Sequence, residues 1–78
     1  MRDRVIEAVR NNCVFKDRML TEETTWEEAG MDSLSFIGAI VELEDEFSVT
    51  FDDEELVIGE WINIGQLINA LEEKLNGA

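Results

Sequence analysis

Histidine and proline are absent from this 78-residue chain, and cysteine occurs once, at Cys13. Without histidine no Ser-His or Cys-His nucleophile pair can be assembled, and a lone thiol closes off a cysteine-based zinc cage. Cys13 has no partner for an internal disulfide, and its helical spacing from Val5 and Val9 reads as a core thiol rather than a reactive one. Basic charge is also scarce. The six basic residues are Arg2, Arg4, Arg10, Lys16, Arg18 and Lys74, so residues 19–73 hold sixteen acids and no positive side chain, and the net charge is −13. Such a surface repels phosphate backbones and anionic lipid, which argues against nucleic acid or a membrane surface and for partners with basic patches. The plain alternative is a solvated acidic surface that serves solubility. No apolar run approaches the roughly 18 residues of a membrane span, and residues 1–5 have no signal-peptide core behind their charges, so a cytoplasmic location is expected.

The length suits one domain, since domains usually run from about 50 to 250 residues. A domain this small buries only about 60% of the surface its unfolded chain exposes, which leaves little apolar material to build a deep catalytic cleft. Carboxylates are plentiful, but a general acid needs a desolvated pocket, and runs such as Asp52-Asp53-Glu54-Glu55 read as solvated. That run also lacks the alternating ligands and central glycine of an EF-hand loop. Neither catalytic nor metal-ligating residues are therefore expected.

With no proline to punctuate the chain, caps and hydrophobic periodicity mark its elements. A first helix over residues 2–12 aligns Val5, Ile6 and Val9 with Cys13. A long connection over 14–31 follows, in which Thr25-Trp26-Glu27-Glu28 is a capping-box pattern for a single turn, with Trp26 and Leu20 as apolar anchors. A second helix starts at residue 32 or 33 and runs to about 47. It carries two apolar lines, Leu34, Ile37 and Val41 beside Phe36, Ile40, Leu43 and Phe47. Asp32 is its N-cap, and Glu42, Glu44, Asp45 and Glu46 crowd the half where the helix dipole disfavours acid. That placement suggests a role other than helix stability, although a charged outer face is ordinary. A short third helix is predicted from Asp52 as cap with Glu55 three residues on, turning Leu56, Val57 and Trp61 inward, its length limited by Gly59. The last helix opens on Asn63 and Gln66, carries Ile64, Leu67, Ile68, Leu71 and Leu75, and stops at Asn76-Gly77. The expected fold is all-α, a small four-helix bundle of three longer helices and one short one.

The segment Glu28-Ala29-Gly30-Met31-Asp32-Ser33-Leu34 resembles the modification motif of the acyl carrier protein family, whose core reads Gly-x-Asp-Ser-Leu. The similarity continues through Leu43-Glu44-Asp45-Glu46-Phe47 into the third helix and covers the chain in length and element order. Independently of it, Ser33 stands at a helix N-terminus after a long loop, where free backbone amides favour a phosphodiester. The simpler reading is an ordinary N-cap; Asp32 can cap while Ser33 carries the group. Ser35 falls two residues inside the helix and matches no modified position.

The resemblance implies a single carrier domain over residues 1–78, monomeric and not itself an enzyme. It implies 4'-phosphopantetheine, derived from coenzyme A, covalently attached to Ser33 by a phosphopantetheinyl transferase. The arm would be loaded by an acyl- or aminoacyl-activating ligase or an acyltransferase, for fatty-acid, polyketide or nonribosomal-type synthase enzymes. It implies a docking surface along the second helix, the flanking loop and the third helix. Candidate contacts are Met31, Leu34, Phe36 and Ile37 for apolar docking and Glu42, Glu44, Asp45, Asp53, Glu54 and Glu55 for charge; Leu34, Phe36 and Ile37 fit the core equally well, and periodicity favours the core for Ile37. Fatty-acid carriers commonly place acids early in the second helix and a proline before the third, where this chain has Ser35, Gly38 and Asp52. Phe36, Gly38 and Trp61 look more like specialised or aminoacyl carriers, and the Phe47-to-Trp61 spacing is similar to that of the D-alanine carriers of teichoic acid synthesis. From a different class, an unmodified acidic helical module that binds a basic partner uses the same face.

Overall fold

The computed structural model describes residues 2–13 and 19–77. Among these the regular elements are three α-helices, α1 (Arg2–Asn12), α2 (Ser33–Phe47) and α3 (Ile64–Gly77), and two 3-10 turns, Asp53–Leu56 and Ile58–Glu60. The start of the expected long connection, residues 14–18, lies outside the described residues.

Each helix forms where local spacing and caps agree. In α1, Val5, Ile6, Ala8 and Val9 are buried on one stripe, with Asp3 in the first turn and Arg10 in the last, each matched to the helix dipole. In α2, Phe36, Ala39, Ile40 and Leu43 are buried; Asp32 caps the start, and Ser48 ends the helix in the left-handed region at φ 55°. The amides of Ser48 and Val49 both return to the Glu44 carbonyl, as in a Schellman-type stop. In α3, Ile64, Leu67, Ile68 and Leu71 face inward, and Asn63 Oδ1 accepts from the Gln66 amide at 3.1 Å. Gln66 reaches back one residue beyond the cap, its Oε1 accepting from the Ile62 amide at 2.7 Å.

The described part of the connection into α2 is held at two places. Its capping box forms around Thr25 and Glu28: Thr25 N–H donates to Glu28 Oε1 at 2.9 Å, and Glu28 N–H donates to Thr25 Oγ1 at 3.2 Å. Leu20 and Trp26 are buried beneath it. The preceding stretch lies against the start of α3, where the Ile64 and Gly65 amides donate to the Thr24 and Glu22 carbonyls at 3.0 and 2.8 Å. Two donors that a helix start leaves orphaned are thus satisfied by backbone. A Cβ at Gly65 would sit 3.0 Å from the Glu22 carbonyl oxygen, so glycine permits this approach.

The short third α-helix does not form. Asp52 and Glu55 pair as expected, Asp52 N–H donating to Glu55 Oε1 at 2.8 Å, but the residues that follow make two 3-10 turns with Val57 extended between them. The cause is visible at Glu55. Its carbonyl, which an α-helix would give to the amide of residue 59, accepts instead from Trp61 Nε1 at 2.8 Å. Val57 is consequently exposed, while Leu56, Ile58 and Trp61 pack partly against the core. Among the described residues the bundle therefore has three α-helices, and 3-10 turns stand where the short fourth was expected. Leu75, expected on the inner stripe of α3, lies near the helix end and is partly exposed.

Candidate functional site around Ser33

The approach to α2 is a sharp reversal. The turn that begins at Thr25 closes with the Met31 amide donating to the Trp26 carbonyl at 2.9 Å, and Gly30 takes φ 74°, a conformation that side-chain-bearing residues rarely adopt. Asp32 then leaves the turn extended and places Oδ1 2.8 Å from the Ser35 amide, and its carbonyl accepts from Phe36 N–H at 2.9 Å. Hydrogen bonds from the Ser35 amide and hydroxyl hold the Asp32 carboxyl below the usual carboxylate range. The two serines therefore differ in environment. Ser35 is half-buried against the Asp32 carboxylate, whereas Ser33, the first residue of α2, is exposed and is not needed for the cap. An exposed hydroxyl beside the positive end of a 15-residue helix is open to a bulky phosphodiester and electrostatically suited to it.

The two apolar lines of α2 part company. The line through Phe36, Ile40 and Leu43 is fully buried, but Leu34 is 80% exposed, Val41 51% exposed and Ile37 half-buried. Of the apolar docking candidates, Phe36 and Met31 are buried, at 0% and 8% exposure, so Phe36 takes the core alternative and Met31 is not a surface contact. Phe36 faces the interior because it shares its helical face with Ala39, Ile40 and Leu43. Its ring meets Trp26 edge-on at a centroid distance of 5.0 Å and Trp61 at 6.2 Å. On α2 the outward apolar side chains are Leu34 and Val41; elsewhere Met19, Val57 and Ile62 are exposed. Val41 stands on the same apolar line as Leu34, seven residues on, and shares its exposure.

The expected charge contacts also divide. Asp45, Asp53 and Glu54 are exposed. Glu42 is half-buried and accepts from the side-chain amides of Asn11 and Asn12, each at 3.1 Å, with Arg4 3.8 Å away. Glu44 Oε2 accepts from the Phe51 amide at 2.8 Å, holding the segment after α2. Glu55 Oε1 bonds both the Asp52 amide and Lys74 Nζ, the latter at 3.0 Å. Partial burial raises the Glu55 carboxyl, but the Asp52 amide and the Lys74 ammonium outweigh it, and the net shift is downward. Glu46 pairs with Arg4 through both carboxylate oxygens, which lowers its carboxyl and raises the Arg4 guanidinium. Acids that are unfavourable for the α2 dipole are thus used to fasten α2 to α1 and to the loop beyond it.

Among the described residues no group of three or more His, Cys, Asp or Glu side chains could hold a metal ion, and no helix is long and apolar enough to cross a membrane. A family model described as the phosphopantetheine attachment site matches residues 3–71, from the first turn of α1 to the inner stripe of α3. No match was found among curated proteins or among solved structures.

Proposed function

Because the chain belongs to the phosphopantetheine attachment family, whose members carry covalent 4'-phosphopantetheine and are not themselves catalysts, we propose that Ser33 is the attachment residue. The observation that carries this is the contrast at the α2 start: Asp32 supplies the cap, Ser35 is drawn into it, and the Ser33 hydroxyl is left exposed. Bound there, the group supplies a terminal thiol that holds cargo as a thioester. The chain's own part is to present the arm and to be recognised. The Gly30 reversal and the Asp32 cap fix Ser33 at the rim, and the positive end of α2 favours the phosphodiester.

The carrier reading extends to one domain over residues 1–78, acting in the cytoplasm on acyl or aminoacyl intermediates of fatty-acid, polyketide or nonribosomal-type synthesis. Its partners are a phosphopantetheinyl transferase using coenzyme A, a loading ligase or acyltransferase, and synthase enzymes with basic docking patches. Leu34, exposed beside Ser33, is the apolar contact, and Asp45, Asp53 and Glu54 supply the steering charge. A tethered cargo reaches a docked partner's site at high effective concentration, so the carrier needs no cleft of its own.

Intact mass after incubation with coenzyme A and a broad-specificity transferase tests the assignment. Wild type and Ser35→Ala gain one phosphopantetheinyl group, and Ser33→Ala gains none. Equal labelling of Ser33→Ala refutes it.

A further inference from the structure

The interior directly under the start of α2 is filled by three large rings. Phe36, one turn on from Ser33, is fully buried. Trp26, 4% exposed, meets its ring at 79°, and Trp61 covers it from the 3-10 segment at 45°. Each tryptophan is anchored by something besides this contact. Trp61 Nε1 is bonded to the Glu55 carbonyl at 2.8 Å, and Glu55 is in turn held by Lys74. Trp26 sits in the Thr25–Glu28 capping box, and its carbonyl takes the Met31 amide. A groove of about 650 Å³ lies open to solvent beside Trp61, its walls combining Trp61 and Ala70 with Glu54, Glu55, Glu60 and Glu73.

Resting on the Ser33 reading above, we infer that this aromatic stack seals the bundle beneath the arm, so that the thioester cargo rides in solvent and belongs to the short or polar acyl groups. A long alkyl chain gains from burial in proportion to its methylenes, and here it finds neither of the places that would provide it. To enter the core it must part Phe36 from Trp26 and Trp61 and break the indole bond that fixes Trp61. In the groove it gains little burial, because the groove is open to solvent and its apolar walls, Trp61 and Ala70, stand among the carboxylates of Glu54, Glu60 and Glu73. A short or polar acyl group forfeits nothing by remaining outside, and outside it is already presented to a partner.

The molecule contains its own reporter. Trp26 Nε1 is buried with no hydrogen-bond acceptor among the described residues, so a thioester or amide carbonyl entering the interior would be captured by it and would move the indole N–H resonance. The test is to load Ser33 with acetyl- or octanoyl-phosphopantetheine from the corresponding coenzyme A thioesters, and to verify each product by intact mass. Thermal midpoint and the two indole N–H resonances are then compared. The acetyl and octanoyl forms should melt within about 1 °C of each other, with both indole signals unmoved. A midpoint several degrees higher for the octanoyl form, or a displaced Trp26 signal, overturns the inference. In Trp61→Ala the octanoyl form should melt above the acetyl form, because the seal is open. Absence of length dependence in that variant would show that the aromatic stack is not what excludes the chain, and would also overturn it. Failure to gain mass at Ser33 would instead count against the attachment site, so the two readings fail separately.

Discussion

The side-chain oxygen of Asn12 occupies the space above Gly38: a Cβ built at residue 38 would lie 2.6 Å from Asn12 Oδ1. A glycine inside a helix costs about 1 kcal/mol against alanine, and here that cost admits a side chain that ties α1 to α2. Asn12 Nδ2 donates to the Ala8 carbonyl at 2.8 Å and to Glu42 Oε1 at 3.1 Å. Gly38→Ala should therefore fail to stabilise the protein. Moving Asn12 aside forfeits two hydrogen bonds of about 1 kcal/mol each, against a helix gain of about 1, for a net loss of roughly 0.5–1 kcal/mol. In an Asn12→Ala background the same change should stabilise by about 1 kcal/mol. Chemical denaturation of the four proteins measures the cycle, and equal effects in both backgrounds would refute the coupling.

Ser48 ends α2 with φ 55°, a strain that a residue without Cβ does not feel. Ser48→Gly should raise stability by about 0.5–1 kcal/mol, with the helical signal and Ser33 labelling unchanged. A loss of stability would show that the serine side chain contributes more than its backbone costs.

Acid should weaken the fold through the carboxyls that are lowered in the native state, Asp32, Glu46 and Glu55. Because their folded values lie below their unfolded ones, their contribution is complete above the ordinary carboxylate range and is lost as pH falls through the lowered values. Glu55→Gln should cost about 0.5–1 kcal/mol at neutral pH and reduce the acid loss, since the Lys74 partner is then gone at every pH. Denaturation midpoints from neutral to strongly acid pH check this, and an unchanged acid limb in Glu55→Gln would refute it.

Docking and scaffolding acids should separate on charge reversal. Asp45 is exposed on α2, whereas Glu44 holds the Phe51 amide. Asp45→Lys should slow association with the transferase and flatten its dependence on salt, at unchanged thermal midpoint. Glu44→Lys should lower the midpoint as well. Stopped-flow kinetics at low and high salt, with melting curves alongside, read both effects. An unchanged rate for Asp45→Lys would remove electrostatic steering at that position.

The net charge of −13 on one small domain gives a last expectation. Thermal midpoint should rise between low and moderate ionic strength as repulsion among the exposed acids is screened. The ion pairs of Arg4 with Glu46 and of Lys74 with Glu55 oppose this by weakening in salt, so a flat response would mean that the pairs equal the repulsion.

Whatever depends on neighbours three or four residues away was determined by the sequence itself. Residues 2–12 and 33–47 show their helices through apolar spacing and caps. The Thr25–Glu28 box and the Asn63–Gln66 cap are likewise short-range chemistry, and the Gly30-to-Leu34 motif is contiguous. Tertiary structure decided what depends on residues far along the chain. Two apolar lines on α2 look alike in sequence, and packing against Trp26, Trp61 and the inner faces of α1 and α3 selects the Phe36 line for the core and leaves Leu34 outside. The acids of α2 look like one solvated face until Arg4, Asn11 and Asn12, some 30 to 42 residues earlier, reach Glu42 and Glu46. The 53–60 segment has a helix cap in sequence and becomes 3-10 turns because the Trp61 indole takes the carbonyl that an α-helix would need. Local propensity is a free energy of tenths of a kcal/mol per residue, while a buried ring or a committed hydrogen bond is worth about 1 or more, so contacts distant in sequence prevail wherever the two disagree.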